Sequence, residues 1–228
     1  MKPVQLLSDN PGRQNWLWLP GWSYRASVFA PIFSALPGRH FGVTYPDTLC
    51  SLPQLVQALQ QQAPASAVWV GWSLGAALAM LTATDDNCRT LVTLGCSPEF
   101  APAGHDNEQT LQQFRLLWQQ APDKALKRFS ALCAQGASDT RALIRHLQHH
   151  QLPAGNACDQ SLNWLSQYRL RPTSVRQQHW YGQQDSLQPG GLQPAQLSDG
   201  RSHAFFLEQQ GRLQLLTRLQ QLTTEEAL

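Results

Sequence analysis

Ala67-Val68-Trp69-Val70-Gly71-Trp72-Ser73-Leu74-Gly75-Ala76-Ala77-Leu78-Ala79-Met80-Leu81 is the stretch on which the reading of this chain turns. Its first four residues make a short apolar strand, and Ala76 to Leu81 reads as a buried helix with small residues near its start. Between them lies Gly-x-Ser-x-Gly. A strand that turns straight into a helix around a serine crowds the flanking positions, so that side chains there collide with neighbouring backbone. Glycine relieves the crowding, and the sharp turn lifts the Ser73 hydroxyl clear of the sheet. A tight turn without chemistry has the same composition, but a strand before and a helix after give Ser73 the setting of a nucleophile.

A serine hydroxyl is a weak nucleophile until a base takes its proton and a carboxylate orients that base. In the α/β-hydrolase arrangement these partners follow in the order Ser, Asp/Glu, His, each on a loop after a later strand. Of the seven histidines, His40 precedes the serine, and His146, His149 and His150 lie in a polar, helix-like stretch. His179 sits inside the strand-like run Val175 to Tyr181. His203, in Gly200-Arg201-Ser202-His203-Ala204-Phe205-Phe206, follows the last strand candidate and is the expected base. Asp185 ends Trp180-Tyr181-Gly182-Gln183-Gln184-Asp185, a strand running into a glycine turn, and is the expected acid. From there it can accept the imidazole N–H and hold the tautomer that offers a free nitrogen to the serine. Asp199, four residues before His203, is the competitor; it shares a loop with His203 and needs a tight reversal to reach it.

Acyl transfer also requires two backbone N–H groups aimed at the developing oxyanion. Leu74, directly after the serine, is expected to supply one. Trp16-Leu17-Trp18-Leu19-Pro20-Gly21-Trp22-Ser23 reads as an earlier strand and its loop, with Gly21 permitting the bend and the Trp22 amide as second donor. Many hydrolases carry His-Gly where this chain has Pro20-Gly21.

Leu19-Pro20-Gly21-Trp22, Gly71-Trp72-Ser73-Leu74-Gly75, Tyr181-Gly182-Gln183-Gln184-Asp185 and Ser202-His203-Ala204-Phe205-Phe206 together resemble the pimeloyl-acyl-carrier-protein methyl ester esterases of biotin synthesis. The tryptophan before the serine and Gly-Trp in the oxyanion loop are the most particular features. The resemblance runs from about residue 15 to the C-terminus and is weaker in the middle, where Ala125-Leu126-Lys127-Arg128-Phe129-Ser130-Ala131-Leu132 looks like that family's lid. It implies Ser73, Asp185 and His203 as a catalytic triad, the Trp22 and Leu74 amides as oxyanion donors, and Phe129 as a contact for the substrate chain. The sequence departs from the family at Pro20, where a histidine is usual, and at Ala76, where a third glycine is usual. The family opens with a hairpin of two strands, whereas residues 1–15 here hold at most one.

Strand candidates recur at Trp16–Leu19, His40–Tyr45, Ala67–Val70, Thr90–Gly95 and Val175–Tyr181, with Leu192–Leu197 as a weaker last one that contains Pro194. Helical patterns alternate with them at Ala26–Leu36, Leu52–Gln62, Leu74–Ala83 and Gln209–Leu222. The expected fold is therefore α/β, an α/β-hydrolase: a mostly parallel sheet with helices on both faces. Residues 1–228 are expected to form one domain, carrying an all-helical insertion at about 101–170, between two core strands, where hydrolases hold a lid.

Within residues 121–150 five cations (Lys124, Lys127, Arg128, Arg141, Arg145) face two acids (Asp123, Asp139), in a chain whose net charge is only +2. Lys124 and Arg128, like Arg141 and Arg145, are four apart and share a helix face. From spacing alone these read equally as a solvated surface or as a dock for an acidic partner. The resemblance favours docking of the acyl-carrier protein that bears the substrate, because that family uses lid arginines at matching positions.

Five scattered cysteines form no Cys-x-x-Cys pair and no metal spacing, which suits reduced core thiols and a reducing compartment. No basic stripe suggests nucleic acid, no apolar run suits a membrane span, and the first residues lack a signal-peptide core. The expected protein is cytoplasmic and monomeric, without cofactor or metal. Two readings compete with the specific esterase: a general short-chain carboxylesterase or thioesterase, and an idle hydrolase fold that only binds a partner.

Overall fold

The computed structural model describes residues 2–100, 106–170, 173–187 and 192–224. Its strands are β1 (Val4–Asn10), β2 (Asn15–Leu19), β3 (Gly38–Val43), β4 (Ala67–Trp72), β5 (Cys88–Leu94), β6 (Arg176–Gly182) and β7 (Ala195–Ser198). They form one sheet of order β1-β3-β2-β4-β5-β6-β7. Only β1 runs antiparallel, against β3; the pairs from β3 to β7 are parallel. This is the doubly covered sheet that the strand–helix alternation predicts. All six residues of β4 are buried, as befits a central strand of such a sheet.

The helices of the core are α1 (Ala30–Phe33), α2 (Leu52–Gln62) and α3 (Leu74–Thr82), with α8 (Gln209–Thr224) closing the chain. α2 begins with a capping box between Ser51 and Gln54, which satisfies orphan donors at its first turn. α3 is apolar all round and correspondingly buried, with Leu74 to Met80 all inside. The expected helix Ala26–Leu36 is instead a 3₁₀ turn (Ala26–Phe29) followed by the single turn of α1. Pro31 explains the break: it has no N–H to continue a helix arriving from Ala26, though it is well suited to the first turn of a new one. Likewise β7 starts one residue after Pro194, because a proline cannot donate to the ladder.

The chain leaves β2 toward β3 on one side and returns to β4 on the other, so the order reverses between β2 and β4. In parallel sheets such a switch point opens a crevice at the carboxyl ends of the strands. Leu19 pairs opposite Gly71, so the loop after β2 and the turn after β4 emerge there side by side. Aromatic side chains fill the interior beneath. All eight tryptophans are buried, and Trp16, Trp18 and His40 pack on one another with 6.0 Å between the ring centroids of each pair.

Between β5 and β6 lie α4 (Asp106–Gln120), α5 (Pro122–Ala134), α6 (Thr140–His149) and α7 (Asn156–Trp164), with no strand among the described residues of that segment. Residues 101–105, the start of the expected insertion, lie outside the described residues. α5 buries Ala125, Leu126, Phe129, Ser130, Cys133 and Ala134, a single stripe at helical period that turns inward while Lys124, Lys127 and Arg128 face out. Among the described residues no helix is long and apolar enough to cross a membrane.

Candidate active site

Ser73 occupies the turn between β4 and α3 with φ 54° and ψ −119°, a conformation that L side chains rarely adopt. Two close approaches hold it there. A Cβ on Gly75 would stand 2.1 Å from the Leu19 carbonyl oxygen, and one on Gly71 would stand 2.5 Å from Ala76 Cα. The second glycine of the motif thus lets β2 reach the elbow, and the first lets α3 fold back on the strand. The Ser73 N–H donates to the Leu94 carbonyl at 2.9 Å, tying the turn to β5. Leu74 is the first residue of α3, and N–H groups in a first helical turn have no intrahelical acceptor.

His203 and Asp185 meet over the neighbouring strand ends. His203 Nδ1–H donates to Asp185 Oδ2 at 2.8 Å, and both side chains are only 2% exposed. The other carboxylate oxygen, Oδ1, accepts the Leu187 N–H at 3.0 Å, so the acid is fixed at both ends. Asp199 is engaged elsewhere, accepting from Gln214 Nε2 at 2.6 Å. A Cβ on Gly95, the residue after the Leu94 that holds the Ser73 amide, would stand 3.0 Å from the imidazole and 3.1 Å from the Asp185 carboxylate. The serine turn and the His–Asp pair therefore share one corner of the sheet. His203 Nε2 is buried and has no hydrogen-bond partner among the described residues. Ser73 Oγ therefore does not donate to it in this arrangement, and one ring nitrogen is left free beside the serine turn.

Trp72 joins these parts. Its indole N–H donates to the His203 carbonyl at 3.0 Å, its ring lies 5.6 Å from the imidazole, and its opposite edge meets Gly21, whose Cβ would be 3.0 Å away. Tyr24 stacks on it at 5.0 Å and hydrogen-bonds Ser130 of α5 at 3.1 Å. Burial pushes the Tyr24 phenol and the Cys133 thiol well up, the thiol further through the Asp185 carboxylate. Both therefore stay neutral.

The loop after β2 is pinned from the insertion side. Ser23, buried with φ 64°, accepts the Leu152 N–H at 2.7 Å on its carbonyl and the Gln151 amide on its hydroxyl. Gln151 Nε2 also donates to the Leu126 carbonyl at 3.0 Å, so one side chain ties the loop to α5. Gln151 and Tyr24 escape sequence reasoning: one is a glutamine among many, and neither lies in a motif.

Trp22 is buried beside the expected oxyanion amide, and its indole donates to the Cys158 carbonyl of α7 at 2.8 Å. Phe129 packs edge-on against it at 4.9 Å. Both line an apolar cavity of about 40 Å³ together with Phe114, Leu132, Leu162 and Leu187. Roomier grooves of about 710 and 640 Å³ lie elsewhere on the surface and contain none of the expected site residues. Lys124, Arg128, Arg141 and Arg145 are exposed on α5 and α6. Among the described residues no group of three or more His, Cys, Asp or Glu side chains converges as a metal site requires.

His150 fastens the end of α6 to the same loop: its carbonyl accepts the Arg25 N–H at 2.9 Å and its Nδ1 bonds Ser27 Oγ at 2.9 Å. Burial, then His146, His149 and Arg25, bring its pKa from the ordinary value of 6.5 to about 4. The folded state thus refuses a proton that the unfolded chain accepts, so stability falls as pH drops from about 6.5 to about 4. Thermal melts over that window are expected to show a shallower loss for His150→Gln than for the wild type. Parallel curves would remove His150 from the titration.

No family model matches the chain. It is 32% identical over 216 residues to the pimeloyl-[acyl-carrier protein] methyl ester esterase of Shewanella sp. (strain MR-7), covering 83% of this chain and 81% of that one. The protein of the same name from Xanthomonas campestris pv. campestris (strain B100) is 32% identical over 226 residues, covering 83% and 87%. That from Vibrio cholerae serotype O1 is 27% identical over 241 residues, covering 90% and 89%. Among solved structures, an esterase from Exiguobacterium antarcticum superposes with a TM-score of 0.74 at 17% identity, over 97% of this chain and 94% of that one. A hydrolase from Oleispira antarctica gives 0.78 at 14%, over 96% and 95%. At such identities the structural likeness speaks for the α/β-hydrolase fold alone.

Proposed function

The chain belongs to the family of pimeloyl-[acyl-carrier protein] methyl ester esterases, and from that premise we propose that it hydrolyses the methyl ester of pimeloyl-acyl-carrier protein in biotin precursor synthesis. The observation that carries the mechanism is the buried His203–Asp185 pair, with its free Nε2, beside the strained turn of Ser73. Ser73 Oγ attacks the ester carbonyl while His203 Nε2 takes its proton, and the Trp22 and Leu74 amides receive the oxyanion. Asp185 holds the ring and stabilises the imidazolium. His203 then protonates the departing methoxide. Water, activated by the same nitrogen, attacks the acyl-serine, and the proton returns to Ser73 as the free acid leaves.

The helical insertion acts as a lid over this site, with Phe129 and the Trp22 indole lining the path of the acyl chain. Their cavity of about 40 Å³ falls well short of the roughly 300–1,000 Å³ of a small-molecule pocket, so on this reading α4, α5 and α7 part to admit an acyl chain. Lys124, Arg128, Arg141 and Arg145 receive the acidic carrier protein. The enzyme works as a cytoplasmic monomer. Rescue of biotin-requiring bacteria that lack their own pimeloyl ester esterase tests the assignment: the wild-type chain is expected to restore growth and Ser73→Ala is not. Failure of the expressed wild type would leave a general carboxylesterase.

Exposed charges act mainly on encounter rate, and the Debye length is about 8 Å near physiological ionic strength. Arg128→Glu and Arg141→Glu are therefore expected to weaken turnover of carrier-linked ester while sparing a small free ester, with the difference shrinking as salt rises. Equal losses on both substrates would mean a disturbed lid, and no loss on the carrier substrate an ordinary solvated surface.

A further inference from the structure

The loop that carries His203 has a nearly complete account of its backbone polar groups, and much of it runs to one carboxylate. Gln183 N–H donates to the Gly200 carbonyl at 3.2 Å and Gln184 N–H to the Arg201 carbonyl at 2.7 Å, stitching the loop to the turn that bears Asp185. On the opposite edge, Glu208 Oε1 accepts from Arg201 N–H at 2.9 Å, Ser202 N–H at 2.8 Å and Ser202 Oγ–H at 2.8 Å. The Ser202 carbonyl accepts the Phe205 N–H at 3.1 Å, and the His203 carbonyl takes the Trp72 indole. Glu208 itself is held at the junction with α8, where its carbonyl accepts the Arg212 N–H at 2.8 Å. Its side chain turns away from its own helix and back to the residues just before the histidine.

We propose that Glu208 is a positioning residue for the reaction: its single oxygen clamps Arg201 and Ser202, and so sets His203 against Asp185. The inference rests on the reading of His203 as the base. Ser202 is fully buried, so its two donors have no water to turn to if that oxygen moves. Charge-assisted bonds of this kind are short and strong. The Asp185 turn grips the loop through carbonyls and Glu208 grips it through N–H groups, so the peptide planes at Arg201 and Ser202 are fixed from both edges. With Glu208 gone, each of those planes keeps only its carbonyl bond to the Asp185 turn, and His203 lies one residue on.

Glu208→Gln and Glu208→Asp separate acceptor position from charge. Glutamine keeps an oxygen at the same reach; aspartate keeps the charge but falls short by one methylene, about 1.5 Å. Turnover of a small p-nitrophenyl ester, normalised to sites titrated with a fluorophosphonate, is measured across pH together with thermal melting. Glu208→Gln is expected within about threefold of wild-type kcat. Glu208→Asp is expected to lose about 10²-fold in kcat with KM within about twofold, the scale of a catalytic group misplaced by about 1 Å. The acid limb of its pH profile moves to lower pH, because an imidazolium less well held by Asp185 is a stronger acid. Wild-type kcat and an unmoved limb in Glu208→Asp, whatever its melting temperature, would reduce Glu208 to a stability element and overturn the proposal. Equal losses in both variants would overturn it too, since an oxygen in the right position would not suffice. Activity surviving in a His203→Ala control would sink the reading of the base itself, and this proposal with it.

Discussion

Ser73→Ala and His203→Ala are each expected to lose ester turnover by about 10⁶-fold, with circular dichroism unchanged from the wild type. On the proposed mechanism the magnitude follows from Ser73, Asp185 and His203 acting as a unit. Without the hydroxyl there is no acyl-enzyme, and without Nε2 nothing takes the hydroxyl proton. The double variant is accordingly expected to be little worse than either single one, because the second loss removes a part already idle. Residual hydrolysis above water would come from the Trp22 and Leu74 amides and from substrate binding. Near-normal turnover in either folded variant would reject Ser73 and His203 as nucleophile and base.

Asp185→Asn is expected to cost about 10⁴-fold in turnover, and Asp199→Asn almost nothing. An amide at Asp185 can present its NH₂ to Nδ1 and so stabilise the tautomer with the proton on Nε2, leaving Ser73 without a base. Asp199 bonds Gln214 of α8, and its substitution touches no group near the imidazole. Kinetics of the two variants on one small ester decide the matter, and the reverse ranking would move the acid to Asp199.

The fold was legible wherever a constraint is local. The apolar runs and the helices between them predict a mostly parallel sheet, and β2 to β7 fall where those runs lie; β1 (Val4–Asn10), half polar and largely exposed, was not among the candidate runs. Ser51 and Gln54 mark the start of Leu52–Gln62, which forms as read because its cap lies within four residues of sequence. Ala26–Leu36 failed as a continuous helix because apolar period alone takes no account of Pro31 in its middle. The serine turn was readable because its steric demand for glycine is written into five adjacent residues. The pairing of Asp185 with His203 was readable from chain order and strand ends. Glu208 and Gln151 were not: nothing in the residues around them marks them, and a carboxylate or amide at the surface looks the same whether or not it clamps a loop. The narrowness of the cavity between Trp22 and Phe129 is likewise a product of packing between α4, α5 and α7, which no single segment encodes.

The proposed activity is tested most simply by methanol released from pimeloyl-acyl-carrier-protein methyl ester by the purified chain, measured beside its Ser73→Ala variant and beside a small free methyl ester. Ser73-dependent release from the carrier-linked ester is expected, with a higher kcat/KM than from the free ester and an advantage that declines as salt is raised. Release from the free ester alone, or release that survives Ser73→Ala, would contradict the proposed activity.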